Sequence, residues 1–354
     1  MQRQWDATVE RHTYITGGMG SRHQDEGFGD DWELPADRAY CETCAGVGSV
    51  MFSWRMYLAT GEVRYVDLIE RTLFNVIATS PSSDGRAFFY ANPLHQREAR
   101  GEASEGVNTR AEGGTRAPWF EVSCCPTNVA RTFASLPAYV AAVEGDTVAL
   151  LQYAAGRIRL GGFLLDVQTR YPDDGLVRIV VLEAPVGMAG LRLRVPSWAS
   201  EATIAERGET AHAVAPGWLD VRRVFGPGDE LVLDLRMGAR FSFPDRRIDA
   251  VRGTVAVERG PLVLCLESID LPDGASLDDV LIDVRVPPTD DGDTALVSAV
   301  TVDRGSDGSL GRVPYSAGDP STPTGTVREV ALVPYHRWAE RGPSSMRVFI
   351  PVLS

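Results

Sequence analysis

Gly145-Asp-Thr-Val-Ala-Leu-Leu-Gln-Tyr153 is where the apolar periodicity of this 354-residue chain changes from helical to strand-like. Upstream, Val47, Val50, Met51, Trp54 and Leu58 fall on one face of a helix that Gly61 caps. Val66, Ile69, Leu73, Val76 and Ile77 repeat the pattern up to a stop at Ser80-Pro81. A third helix is expected from Pro126, since proline suits the first helical position, and it carries Val129, Phe133 and Leu136. Pro137 should bend or end it. Trp54 and Phe133 read as core. Between the second and third helices, Arg97 to Pro118 is rich in Gly, Glu and Arg, and its length marks it as a lid or binding loop.

Downstream, Gly156-Arg-Ile-Arg-Leu, Leu176-Val-Arg-Ile-Val-Val-Leu, Leu191-Arg-Leu-Arg-Val, Val255-Ala-Val-Glu, Leu262-Val-Leu-Cys-Leu, Glu329-Val-Ala-Leu-Val and Met346-Arg-Val-Phe-Ile read as strands. Turns such as Asp173-Asp174-Gly175 and Gly226-Pro227-Gly228 separate them. About a dozen short strands point to β-sandwich architecture, divided near Arg246. The expectation is therefore an α+β multidomain chain: a helical unit over 1–140, a first β-sandwich over 141–245 and a second over 246–354.

The composition narrows the function classes. The net charge is -13, from 48 acids and 35 bases, all of them Arg, and no basic cluster suited to phosphates occurs, so nucleic acid is not an expected partner. No run approaches the roughly 20 apolar residues of a membrane span. Met1-Gln-Arg-Gln-Trp-Asp lacks the apolar centre of a signal peptide, which makes the cytoplasm the expected compartment.

Four of the five cysteines, Cys41, Cys44, Cys124, Cys125 and Cys265, form two tight groups. That grouping suits metal binding or catalysis better than disulfides. Adjacent cysteines strain a mutual disulfide, and a helix starting at Pro126 would set Cys124 and Cys125 against its positive dipole end, which favours thiolate. Two small buried residues ahead of a helix is the plain alternative. In an extended Glu42-Thr43-Cys44, carboxylate and thiol point the same way, so three sulfurs and one oxygen make a tetrahedral zinc set. Cys41-x-x-Cys44 with Cys124-Cys125 is a rival four-cysteine set, and spacing does not choose between them.

Several motifs resemble one family. Tyr14-Ile-Thr-Gly-Gly-Met-Gly-Ser, Asp25-Glu26, Leu34-Pro35, Asp37, Tyr40, Glu42-Thr-Cys-Ala, Phe89-Tyr90-Ala-Asn-Pro-Leu94 and Cys124-Cys125-Pro126 look like the β-L-arabinofuranosidases of glycoside hydrolase family 127. Leu191 to Trp198, Val255 to Leu262 and Tyr335 to Pro343 extend the resemblance to the end of the chain. It implies an (α/α)6 toroid followed by two β-sandwiches, and zinc held by Glu42, Cys44, Cys124 and Cys125. It further implies Cys124 as nucleophile, Glu26 as acid/base and Tyr90 in the sugar pocket. Cys41 stands where the family has a small non-thiol residue and is left out of the zinc shell.

A retaining glycosidase needs a nucleophile on one face of the anomeric carbon and a proton donor on the other. Glu26 would act best with a pKa raised by apolar neighbours such as Phe28 and Trp32. Without the resemblance it reads as an exposed acid in the run Asp25 to Glu33. His23, three residues before Glu26, is a candidate sugar contact or an ordinary loop group. His95 is ambiguous, and His12, His212 and His336 read as structural. Trp119 is a candidate stacking platform, and Cys265 a small buried hydrophobe.

The implied toroid has more helices than the chain supplies before its strands begin, so the chain is expected to be the C-terminal portion of such an enzyme. Two functions follow. One is a retaining, zinc-dependent glycosidase acting on a β-L-arabinofuranosyl glycoside, with a missing N-terminal helical half or a second copy as partner. The other is a non-catalytic remnant serving as a structural or carbohydrate-contacting module.

Overall fold

The computed structural model describes residues 1–99, 101, 103, 106–110, 114–272, 275–302 and 325–353, so parts of the 97–118 loop lie outside the described residues. The described α-helices are α1 (Gln2–His12), α2 (Thr43–Thr60), α3 (Val63–Thr72) and α4 (Cys124–Val140). Among the described residues, 13–42 and 78–123 hold turns, isolated bridges and the short strand His95–Gln96, so the first 140 residues are less helical than their periodicity indicates.

Gly61 caps α2 in the left-handed region, φ 71°, and its N–H reaches the Tyr57 carbonyl, as expected of a C-cap. Gly46 lets α2 pack closely, because a Cβ there would lie 2.7 Å from Val76 Cγ1. The run expected to continue to Ile77 changes pitch: α3 ends at Thr72 and Leu73–Ile77 is a π-helical turn. The turn directs the buried Asn75 side chain to the C-terminal strands, where its amide donates to the Pro261 carbonyl (2.9 Å) and its oxygen accepts from the Val263 N–H (2.8 Å).

Helix α4 begins two residues before Pro126, with Ser123 as N-cap. Pro126 still lies in the first turn, where no N–H has an intrahelical partner. Pro137 does not end the helix, which runs on to Val140. The carbonyl it leaves unpaired is that of Phe133, a residue 46% exposed, so water can satisfy it. Met51 (37%) and Leu58 (61%) are also exposed, so the apolar stripes of α2 and α4 extend beyond the surface they bury.

In the middle of the chain two sheets enclose one core. One has strand order Gly217–Val224, Met188–Val195, Thr147–Leu150, Ala141–Glu144, and the other Gly156–Leu160, Phe163–Thr169, Leu176–Glu183, Glu230–Asp234, Thr203–Glu206, His212–Ala213. Leu165, Val177, Ile179, Leu191, Leu193, Leu231 and Leu233 fill the space between them. A third sheet follows, in which Ala239–Ser242 pairs with Thr254–Arg259 and His95–Gln96 from the helical segment pairs with Met346–Arg347.

Arg194 ties α3 to the middle strands. It is fully buried, donates to the Leu151 carbonyl (2.6 Å) and to Asp67 (2.8 Å), and forms an ion pair with Glu70. Trp198 Nε1 donates to the same Glu70 carboxylate at 3.2 Å, and the Tyr171 hydroxyl does too.

Two histidines at the C-terminal strands give stability a pH signature. Burial pushes His95 and His336 from the ordinary 6.5 down to about 4. The unfolded chain therefore binds more protons between those values, so their contribution is complete above pH 6.5 and disappears as pH falls toward 4. On the order of 2 kcal/mol per histidine should be lost by pH 4.5. Denaturant midpoints of His95→Gln and His336→Gln should flatten that decline relative to the parent; an unchanged slope would refute the assignment.

Candidate active site and metal centre

Two helix N-termini meet at the site. Glu42 is the N-cap of α2 and Cys44 its second residue, while Cys124 and Cys125 open α4. Glu42 and Cys44 thus converge from a cap and a first helical turn, not from an extended segment. Both positive dipole ends face the same group of sulfur and carboxylate ligand atoms.

Backbone pairing brings Tyr90 in. The Thr43 N–H bonds the Tyr90 carbonyl (3.0 Å), and the Asn92 N–H bonds the Tyr40 carbonyl (3.0 Å). The Thr43 hydroxyl donates to the Phe89 carbonyl (2.9 Å), and the Asn92 amide to the Cys41 carbonyl (2.8 Å).

One ligand atom from each of Glu42, Cys44, Cys124 and Cys125 lies within 4.8 Å of all the others. Cys44 Sγ is 3.1 Å from Cys124 Sγ and 3.5 Å from Cys125 Sγ, and Cys124 Sγ is 3.5 Å from Glu42 Oε1. Asn128, one turn after Cys124, donates to Cys44 Sγ at 3.0 Å. The Tyr90 hydroxyl is 3.3 Å from Cys124 Sγ. Hydrogen bonding from Cys125, then from Asn128 and Cys124, holds the Cys44 thiol below its ordinary value. Burial pushes Cys124 up to about 11, and Cys125 is raised by its hydrogen bond to Cys44 and by burial. Three sulfurs and a carboxylate this close repel when ionised, so a cation among them relieves the repulsion, and the soft, mixed donor set suits a thiophilic divalent ion.

Cys41 stands apart. It is fully buried with Tyr14, Phe89, Cys265 and Trp338, and is absent from the donor group, so the rival four-cysteine set is not assembled among the described residues. Cys265 is buried in the same cluster, as expected.

Glu26 lies on a turn closed by a bridge between Arg22 and Gly27 and adopts φ 50°, the left-handed region. Phe28 and Trp32 have ring partners of their own. Phe28 lies 5.3 Å from the His12 ring, and Trp32 lies beneath Arg247 at 3.6 Å. Glu26 Oε1 accepts from the Tyr40 hydroxyl (3.2 Å) and meets Arg110 Nη1 at 2.7 Å. Tyr40 lies 6.3 Å, ring to ring, from Tyr90, which links the acid to Cys124. Burial raises the phenols of Tyr40 and Tyr90, so both stay protonated and act as donors. His23 packs edge-on against Tyr40 at 4.8 Å, and burial lowers its pKa. Trp119 is 51% exposed beside this loop. His95 is instead buried in its strand pairing.

The residues missed from sequence are Arg110 and Asn128. Helical spacing from Cys124 gave a signal for Asn128. Arg110 carried none beyond its place in a long loop.

Comparison with known proteins gives a consistent result. Three family signatures match in order: "Beta-L-arabinofuranosidase, GH127 catalytic domain" over residues 1–138, "Beta-L-arabinofuranosidase, GH127 middle domain" over 147–237, and "Glycoside hydrolase family 127 C-terminal domain" over 239–351. A non-reducing end beta-L-arabinofuranosidase of Bifidobacterium longum subsp. longum is 32% identical across 98% of this chain and 54% of its own length. The chain thus spans about half of that relative. A GH127 beta-L-arabinofuranosidase from Geobacillus stearothermophilus T6 superposes with a TM-score of 0.85 at 30% identity, over 99% of this chain and 56% of that one. A GH127 beta-arabinofuranosidase superposes at 0.82 and 30% identity, over 99% and 55%.

Proposed function

This chain belongs to glycoside hydrolase family 127, and from that premise we propose that it carries the catalytic apparatus of a retaining, zinc-dependent glycosidase. Its substrate is a glycoside or oligosaccharide with β-L-arabinofuranose, or a similar sugar, at the non-reducing end. The convergence of Glu42, Cys44, Cys124 and Cys125 at two helix N-termini, with Tyr90 against Cys124, carries this reading. The architecture proposed with it is the C-terminal part of an (α/α)6 toroid and two β-sandwiches, with limits near residues 140 and 245.

Glu42, Cys44, Cys124 and Cys125 would hold the zinc. When bound, the ion favours the deprotonated form of its thiol ligands at neutral pH. The sulfur of Cys124 attacks the anomeric carbon as the bond to the leaving oxygen breaks, and Glu26 delivers a proton to that oxygen. The resulting glycosyl thioether is cleaved by water, whose proton passes to Glu26, regenerating the thiolate and restoring the acid. The Tyr90 hydroxyl, 3.3 Å from the sulfur, would donate to Cys124, and His23, packed on Tyr40, would contact the sugar. All five cysteines are free thiols, which supports a reducing compartment such as the cytoplasm.

A second reading, a non-catalytic carbohydrate-contacting module, draws on the exposed apolar residues Met51, Leu58 and Phe133 of α2 and α4. The same residues suit a helical half or a second copy as partner. Hydrolysis of an aryl β-L-arabinofuranoside, followed by NMR, separates the two. The β-anomer should be released first, by the chain alone or with its helical complement. Initial release of the α-anomer would overturn the retaining mechanism, and no hydrolysis in either form would favour the module.

A further inference from the structure

We propose that Arg110 is a positioning residue for Glu26, orienting its carboxylate so that Oε2 carries the transferred proton. The inference rests on the reading of Glu26 as acid/base. Glu26 lies on a surface turn with its side chain 37% exposed, a place where a glutamate ordinarily samples several rotamers. An ion pair and a hydrogen bond restrain it, and both use the same oxygen: Arg110 Nη1 lies 2.7 Å from Oε1, and the Tyr40 hydroxyl donates to it at 3.2 Å. Oε2 carries no hydrogen bond among the described residues.

Arg110 is itself fixed relative to the thiols. Its backbone N–H donates to Glu121 Oε1 at 3.4 Å, and its Nε lies 3.8 Å from the same atom. The Glu121 N–H bonds the Asn108 carbonyl (2.9 Å) and the Asn108 N–H bonds the Trp119 carbonyl (3.3 Å), folding the loop back on itself. Glu121 precedes Cys124 by three residues. The guanidinium therefore connects the start of α4 to the acid's turn and holds two groups from distant parts of the chain in register. A carboxyl group shifted by about 1 Å from its proton acceptor can cost on the order of 100-fold in rate.

The test is a leaving-group series of β-L-arabinofuranosides, measured for the parent, Arg110→Ala, Arg110→Lys and Glu26→Gln. For Arg110→Ala, kcat/KM should fall about 100-fold with poor alkyl leaving groups, within the 10²–10⁴ range of a general acid. The loss should shrink toward none as the leaving group improves, and Arg110→Lys should recover part of it. A loss equal across the series, or no loss, would overturn the proposal, because a merely structural role does not depend on the leaving group. If Glu26→Gln is steep and Arg110→Ala flat, the positioning role falls and Glu26 stands. If Glu26→Gln is itself flat, the acid assignment fails and takes the proposal with it. A crystal structure of Arg110→Ala provides a check without turnover: Glu26 should leave its single rotamer, and an unchanged carboxylate would refute the role.

Discussion

Cys124→Ala should lower turnover of an arabinofuranosyl substrate by about four orders of magnitude or more, as expected when a covalent nucleophile is removed. Cys124→Ser should fall nearly as far, since a serine hydroxyl ionises far less readily than a thiol. The family resemblance implies Cys124 among three clustered thiols, and its access agrees with that role. Cys125 is buried and Cys44 half-buried, while Cys124 is exposed and touches the Tyr90 hydroxyl. Mass spectrometry of protein trapped with a sugar-like electrophile locates the bond. Label on Glu26 or Glu42 in place of Cys124 would overturn the mechanism.

The second large effect concerns the ion. One zinc per chain is expected by metal analysis. Cys44→Ser and Cys125→Ser should weaken binding by more than about 100-fold, the upper end of what loss of an outer supporting group costs. Cys41→Ser should keep the ion. Burial and hydrogen bonding raise both Cys124 and Cys125 above the ordinary thiol value. Binding must displace their protons, so affinity should fall as pH falls. Retention of zinc by Glu42→Gln together with its loss from Cys41→Ser would restore the four-cysteine alternative.

The switch from helices to strands was legible because it rests on period alone: Thr147–Leu150 and the strands after it lie where alternation begins. Helix α2 and its cap at Gly61 were legible for the same reason. Burial was less so, because a stripe of apolar residues does not reveal how much of it a neighbour covers, and Met51, Leu58 and Phe133 are exposed. The π-turn at Leu73–Ile77 was not legible, because the partners its Asn75 meets, Pro261 and Val263, lie far away in the sequence. At the site, residue type and vicinal spacing marked two candidate donor sets, and the family resemblance chose Glu42 over Cys41. The polar partners of Glu26 were not legible, because Arg110 and Tyr40 are brought to it by folding. The resemblance had set Cys41 apart from Cys44, and the fold places the two in different cores.

Arg194 has a bearing on how the chain holds together. Its guanidinium belongs to a middle strand, and its carboxylate partners Asp67 and Glu70 belong to α3, so the charges neutralise one another only across the junction. Separating the two units would strand a fully buried cation on one surface and two acids on the other, and breaking such a pair costs about 3–5 kcal/mol. The pairing thus opposes separation of the middle strands from α3, the helix packed against the thiol-bearing α2.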